Sequence, residues 1–320
     1  MGNLSECFDP KKYISNPTIR CLSPNMVAVP PSDVVTTIRV IRKIKDTGNS
    51  SIYSAVDSSL PGDGQQPNCA IKQRSKLKDK SPLTVEKRSQ QWKETDIHFQ
   101  VNECLYIATL LKVIDCSASS LMVMEYFPEG GLMKAIKAGG KYGTDKWVKD
   151  AFLQIIKAVE FCHTHGVFHR DLKIENVLVH GDRVALTDFG SATREYTSDR
   201  GHGTISIIMP RRRSLPGTKS PYTLAPSDIW SLGIILVNMI TKRVPWSIAS
   251  TSCEDYKGYR DGVPLNGDPL LPLSDEVQVI LNMIFEEDPE KRPKISRLYG
   301  LIDGCSEFGS EERQKEASRG

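Results

Sequence analysis

The sequence predicts an α+β chain of two lobes, a small antiparallel sheet with one helix followed by a larger helical part. Three observations carry this. Between residues 37 and 126 the apolar residues come in short, β-branched runs separated by turn residues. From residue 132 onward they recur at helical spacing over long stretches. The chain has 320 residues and a hydrophobic fraction of 39%, enough to bury one large domain or two lobes.

In the first lobe, expected at residues 36–126, the runs Thr37–Ile44, Ile52–Asp57 and Asn68–Gln73 read as strands, with a loop at Ser58–Pro67. Residues 84–102 carry a helical pattern. Two further runs, Ile107–Ile114 and Leu121–Tyr126, read as strands joined at Asp115–Ser120. In the second lobe, residues 127–303, Trp147–His165 places Val148, Phe152, Ile155, Ile156, Val159 and Phe161 close to a 3.6 period. Ser227–Thr241 is apolar nearly all round, which predicts a buried helix, and Glu276–Phe285 is a further helix with Pro289 just past its end. Residues 1–35, rich in Pro, Ser and Asn, are expected to be loosely ordered, as is the charged tail at 304–320.

Composition excludes several classes. A formal charge of +3 is too small to make nucleic acid the main partner, and Arg211-Arg212-Arg213 reads as solvated loop. The eight cysteines show no C-x-x-C pair, which predicts buried thiols rather than a zinc site or disulfide scaffold, and a cytoplasmic or nuclear location. No apolar run is read as long enough to cross a membrane, so no transmembrane segment is expected. The opening Met1-Gly2-Asn3-Leu4-Ser5-Glu6-Cys7 approaches an acylation signal but has Glu6 where Ser or Thr is wanted, so an ordinary terminus is expected.

The most informative stretch is His169-Arg170-Asp171-Leu172-Lys173-Ile174-Glu175-Asn176, directly after a helix. Phosphoryl transfer needs positioning and charge neutralisation more than covalent help. A carboxylate such as Asp171 can accept a hydroxyl proton, Lys173 can neutralise the moving phosphate, and the Asn176 amide oxygen can ligate Mg2+. Twelve residues beyond Asn176, after the strand-like Val184–Leu186, comes Asp188-Phe189-Gly190, whose Asp188 offers a hard oxygen ligand. Joint occurrence of these two motifs at this spacing resembles the eukaryotic protein kinase superfamily.

The resemblance covers roughly residues 37–303 and implies the rest of the site. Cys69-Ala70-Ile71-Lys72 is similar to the strand whose lysine meets the α- and β-phosphates of ATP. That lysine needs a glutamate on a helix, for which Glu94 and Glu103 compete; Glu94 is preferred because Glu103 would delete about two helical turns before the hinge. The hinge is expected at Glu125-Tyr126-Phe127 behind Met124, with Ile44, Ile52, Ala70 and Leu178 against the nucleotide. Asp228-Ile229-Trp230-Ser231-Leu232-Gly233 resembles the central helix whose Asp holds the catalytic loop. His98, Leu110, His169 and Phe189 resemble the family's internal column. Lys173 together with Gly203-Thr204 implies Ser/Thr rather than Tyr as acceptor. Arg170 implies a pocket for an activation-segment phosphate set by an upstream kinase, with Thr197 first among Thr193, Tyr196, Thr197 and Ser198. Glu129 and Glu175 are candidates for favouring basic residues in the substrate. The stretches SDIWSLGIILVNMITKRVPWSIAS and LPLSDEVQVILNMIFEEDPEKRP resemble fungal Ser/Thr kinases of the meiosis- and nutrient-signalling type.

Two departures stand out. The phosphate-covering loop, aligned on Ile52-Tyr53, has Lys45, Thr47 and Ser50 where the pattern has glycine. Met209-Pro210-Arg211 replaces Ala-Pro-Glu, setting Arg211 against Arg292. The expectation is an active protein Ser/Thr kinase using Mg-ATP. The alternative is a catalytically impaired pseudokinase acting as a scaffold or allosteric binding partner.

Overall fold

β-Branched and aromatic residues at alternate positions build the first strands, and the alternation decides which face each side chain joins. The computed structural model describes residues 38–46, 50–78, 81–116, 119–198 and 222–309. These fall into two compact units. One holds residues 38–103 and 108–127; the other holds 104–107 and the described residues from 128 onward.

The first unit begins with β1 (Ile38–Asp46), β2 (Ser50–Asp57) and β3 (Cys69–Ser75). A two-residue pair, β4 (Leu77–Lys78) and β5 (Ser81–Pro82), leads into α1 (Val85–Gln100), and β6 (Leu110–Asp115) and β7 (Ser119–Glu125) follow. The sheet order is β1-β2-β3-β7-β6, every neighbouring pair antiparallel. On one face Cys69 and Ile71 pack with Ile38, Val40, Tyr53, Ala55, Ile114, Leu121 and Val123. On the other, Leu110, Val113, Met122 and Met124 pack with Trp92 and Phe99 of α1. Lys72 and Arg74, one residue out of phase with Ile71, therefore belong to the face that α1 covers.

The strand expected from Ile107 begins only at Leu110. Ile107 closes a turn onto the Cys104 carbonyl and bridges Leu186 in the second unit. Asn102 supplies what a strand partner would: its Oδ1 accepts from the Leu110 amide at 2.6 Å and its Nδ2 donates to the Leu110 carbonyl at 3.0 Å. The bonding groups at the strand's start are thus saturated by a side chain.

In the second unit β8 (Gly130–Gly131) precedes α2 (Leu132–Ala138) and the long α3 (Asp145–Thr164), and β9 (Val177–His180) and β10 (Arg183–Leu186) complete a three-stranded sheet of order β10-β9-β8. After β11 (Thr197–Ser198), paired with β12 (Tyr222–Thr223), come α4 (Leu224–Thr241), α5 (Glu254–Arg260), α6 (Asp275–Ile284) and α7 (Ile295–Gly304). Polar caps set the starts: the Thr144 hydroxyl accepts from the Trp147 amide and Ser274 accepts from Val277. The chain stays packed beyond the boundary expected at 303. Cys305 and Phe308 are buried, and the Phe308 amide donates to Asp145 Oδ2 at 2.9 Å.

Helix α4 corrects the reading that no apolar run approaches a membrane-spanning length. Its 18 residues pass that test by length and composition, and most of them are buried inside this unit. Around it Trp230, Trp246, Tyr256 and Phe285 meet edge-on or tilted, with centroids 4.8–6.4 Å apart. Arg292 lies over the Trp230 ring at 4.8 Å and donates to the carbonyls of Glu286 and Pro226. Those partners hold the guanidinium in place; Met209, Pro210 and Arg211 lie outside the described residues.

Gly233 lets α4 approach this cluster. A Cβ there would sit 2.5 Å from Ile284 Cγ2 and 2.7 Å from Phe285 Cε1, inside contact distance of a ring held on several sides. Gly233→Ala is therefore expected to destabilise by about 1–3 kcal/mol, despite a helix-propensity gain of about 1 kcal/mol. Urea unfolding followed by fluorescence of the buried tryptophans checks this; an unchanged or raised midpoint would contradict it.

Candidate active site

Two groups of functional side chains form, one within each unit. In the first, the β3 face that meets α1 carries Lys72, and α1 buries Glu94, Thr95, Ile97 and His98. Lys72 Nζ and Glu94 Oε1 stand 2.7 Å apart, both largely buried. The lysine thus pairs with Glu94, while Glu103, the alternative, is exposed just past α1. Two unit charges at this distance and burial interact far more strongly than in water.

The same unit contains the residues expected against the nucleotide base. Ala70 lies opposite Met124 in the β3–β7 register, and Ile52 lies opposite Lys72. Ile44, half-exposed, sits in the second register shift of β1, between Lys43 opposite Tyr53 and Lys45 opposite Ile52. Met124 and Phe127 are buried. The Glu125 amide donates to the Thr109 carbonyl at 2.9 Å, and Glu125 Oε2 accepts from the Thr109 hydroxyl at 3.1 Å, fixing the end of β7. Of the residues standing where glycines were sought, Lys45 is an exposed β1 residue and Ser50 opens β2 opposite Arg74. Thr47 and Gly48 lie outside the described residues. His98 Nε2 donates to the Ala108 carbonyl at 2.7 Å, and Leu110 joins the cluster under α1.

In the second unit the centre is Asp228, 1% exposed at the start of an apolar helix. Its Oδ2 accepts from the His169 amide at 3.1 Å and meets His163 Nε2 at 2.9 Å, while its Oδ1 accepts from the Arg170 amide at 3.0 Å. Successive amides converge on one carboxylate because Arg170 is left-handed, at φ +67°. His163 was not anticipated. It extends the buried α3 stripe Phe152, Ile156, Val159 at helical spacing, and that periodicity is the signal that could have found it.

From this anchor the chain presents Asp171. Lys173 Nζ stands 2.6 Å from Asp171 Oδ2, and Asn176 Nδ2 donates to the Asp171 carbonyl at 2.9 Å. The second bond turns Asn176 Oδ1 away from that carboxylate. The Thr187 amide then donates to the Asn176 carbonyl at 2.9 Å, closing the mouth of the β9–β10 hairpin one residue before Asp188. Asn176 and Asp188 therefore leave the same end of one hairpin. Asp188 is also left-handed, at φ +67°, and sends the next residue, Phe189, fully into the core. Two non-glycine left-handed residues at one loop cluster mark a site where backbone conformation serves side-chain placement.

His169 stacks on Phe189 with centroids 5.0 Å apart. Its Nε2 donates to the Thr187 carbonyl and its Nδ1 accepts from the Asp171 amide, an assignment that needs the neutral ring. Burial holds its pKa below the ordinary histidine value, which agrees with that tautomer.

Several other expected residues are also placed. Leu178 lies in β9 opposite Gly131 and Ala185. Thr193 is fully buried and exchanges two backbone bonds with Phe168, which removes it as an accessible modification site, whereas Tyr196 is exposed. Thr197 and Ser198 are described only as β11 backbone, and Gly203-Thr204 lie outside the described residues. Glu129 Oε1 accepts from the Gly181 amide at 3.0 Å, tying down the hairpin turn, while Glu175 is exposed beside Asn176.

No cluster of three or more His, Cys, Asp or Glu suited to a metal occurs among the described residues. The donor set at Asn176 and Asp188 is one amide oxygen and one carboxylate, hard oxygens that suit Mg2+ when phosphates and water complete its shell.

A profile of the protein kinase domain matches residues 49–300. A fission yeast protein named negative regulator of sexual conjugation and meiosis is 35% identical over 249 residues, covering 71% of this chain and 53% of its own length. The budding yeast serine/threonine-protein kinase VHS1 is 32% identical over 240 residues, covering 70% of this chain and 52% of its own. The budding yeast serine/threonine-protein kinase KSP1 is 35% identical over 170 residues, which is 51% of this chain and 16% of that protein. The chain spans about half the length of the first two of these curated relatives. With a match across most of its length and an Asp171–Lys173–Asn176 loop suspended from a buried aspartate, the chain belongs to the protein kinase domain family.

Proposed function

We propose that this chain transfers the γ-phosphate of Mg-ATP to serine or threonine hydroxyls of protein substrates. The observation that carries the reading is the catalytic loop: Asp171 is held between Lys173 and Asn176, and its backbone hangs from Asp228 through the amides just before it. An acceptor hydroxyl placed against Asp171 gives up its proton to that carboxylate as its oxygen bonds the γ-phosphorus, and ADP leaves with the bridging electron pair. Lys173, already 2.6 Å from Asp171, is placed to neutralise charge on the moving phosphoryl group. Mg2+, when bound with the nucleotide, neutralises phosphate charge, and Asn176 and Asp188 are the residues that would hold it. Lys72, fixed by Glu94, supplies a positive charge for the α- and β-phosphates. Ser/Thr rather than Tyr as acceptor is supported by Lys173 in the loop and by the names of two yeast relatives.

No observation among the described residues favours the binding-only alternative, since the ion pair and the loop are both assembled. Arg170 directly before Asp171 supports an upstream kinase as a partner that acts through an activation-segment phosphate.

Purified chain incubated with labelled ATP, Mg2+ and basic peptides carrying Ser, Thr or Tyr tests the proposal. Label should enter the Ser and Thr peptides and leave the Tyr peptide blank. Asp171→Asn and Lys72→Met should each lose about a hundredfold or more in kcat/KM. No transfer by any activation state, together with no thermal shift from Mg-ATP, would contradict the reading.

Asp228→Asn keeps the side-chain shape but removes the charge that two amides and His163 share. It should lower stability by about 3 kcal/mol, the scale of one or two charge-assisted bonds. At temperatures where the variant stays folded, kcat should fall while the KM for ATP changes little. Calorimetry and steady-state kinetics together check the split; unchanged kcat in the folded variant would show that the loop is held by other means.

A further inference from the structure

Arg74, two residues after Lys72 on the same face of β3, is absent from the roles assigned so far, yet it is 4% exposed. Its Nη1 donates to Glu94 Oε2 at 2.9 Å and to the Gln91 carbonyl at 2.6 Å. Its Nη2 donates to the Thr95 hydroxyl at 2.7 Å and reaches the Ser120 hydroxyl of β7 at 3.5 Å. Gln91, Glu94 and Thr95 are one turn of α1, at i, i+3 and i+4. The Glu94 carboxylate is therefore divided, with Oε1 on Lys72 and Oε2 on Arg74.

We propose that Arg74 is a positioning residue that clamps the Glu94-bearing turn of α1 to β3, so that the Lys72–Glu94 pair is preassembled before nucleotide binds. The inference rests on the phosphotransfer reading for its kinetic consequence, but the clamp itself is a property of the first unit. A guanidinium suits this role because it stays charged at any physiological pH and its planar fork can satisfy a carboxylate and neighbouring acceptors together. Lysine at the same place offers its three donors from a single nitrogen, which cannot span the Glu94 carboxylate and the Thr95 hydroxyl as the two guanidinium nitrogens do. With the clamp present, Lys72 need not itself hold the helix, so it is available to phosphate oxygens without releasing Glu94. Without it, the paired state is only one of several α1 positions, and nucleotide affinity falls by the fraction lost.

The experiment compares wild type, Arg74→Met, Arg74→Lys and Lys72→Met as full chains. Amide hydrogen exchange over residues 88–98 without nucleotide should quicken by about tenfold in Arg74→Met and stay within about threefold of wild type in Lys72→Met. In kinetics at a temperature where each variant is folded, Arg74→Met should raise the KM for Mg-ATP by about tenfold with a smaller change in kcat, and Arg74→Lys should fall between. If Arg74→Met does not fold, Arg74→Lys carries both comparisons. Unchanged exchange in α1, or a lowered melting temperature with KM unchanged, would overturn the clamp and leave Arg74 a plain packing residue. If wild type transfers no phosphate, the phosphotransfer reading fails, and the exchange comparison alone still decides the clamp.

Discussion

The buried carboxylate of Asp228 is the constraint on which the second unit's chemistry depends. Taking a charge out of water at the head of an apolar helix costs several kcal/mol unless its oxygens are fully engaged. Here two backbone amides and a histidine engage them; the histidine is His163 of α3, and the amides come from the segment that leads into Asp171. The helix cannot bury its aspartate without drawing that segment in, and the segment cannot be drawn in without turning Arg170 left-handed. Catalytic geometry thus follows from satisfying one buried charge. The same economy continues downstream, where Asn176 bonds back to Asp171 and Thr187 bonds back to Asn176, so that Asp171, Asn176 and Thr187 form one connected chain of hydrogen bonds.

In the first unit the organising fact is simpler. A strand places alternate residues on alternate faces, so Lys72 and Arg74 both meet α1 while Cys69 and Ile71 fill the opposite core. One acid, Glu94, then answers two cations. Buried pairs of this kind do not add much net stability, but removing one member leaves an uncompensated charge and is strongly destabilising. Such an arrangement favours one position of the helix over its neighbours, which serves a site that needs a lysine in a defined place.

Much of this was legible in the chain itself. Short β-branched runs and long helical periods gave the two-part architecture. The loop around Asp171 and the Asp188-Phe189-Gly190 turn carried the family resemblance because so few residue types suit that chemistry. What escaped had physical reasons. The strand at Leu110 starts late because Asn102 imitates a strand partner, a side-chain substitution for backbone pairing that no local pattern announces. His163 and Arg74 were passed over because a polar residue on a buried face reads as a break in periodicity, when here it marks the partner of a buried carboxylate. Helix α4, read as starting at Ser227, begins at Leu224 and so reaches 18 residues. Arg292 donates to carbonyl oxygens and lies over the Trp230 face, while Arg211, the partner expected to repel it, lies outside the described residues.

Residue-resolved amide hydrogen exchange at His169 and Arg170 tests the central claim most directly. If Asp228 holds the loop, both amides should exchange as slowly as the core of α4, by global opening rather than local fraying. Exchange at rates typical of an exposed loop, with α4 still protected, would show that the buried aspartate does not hold the loop and that the catalytic geometry has another origin.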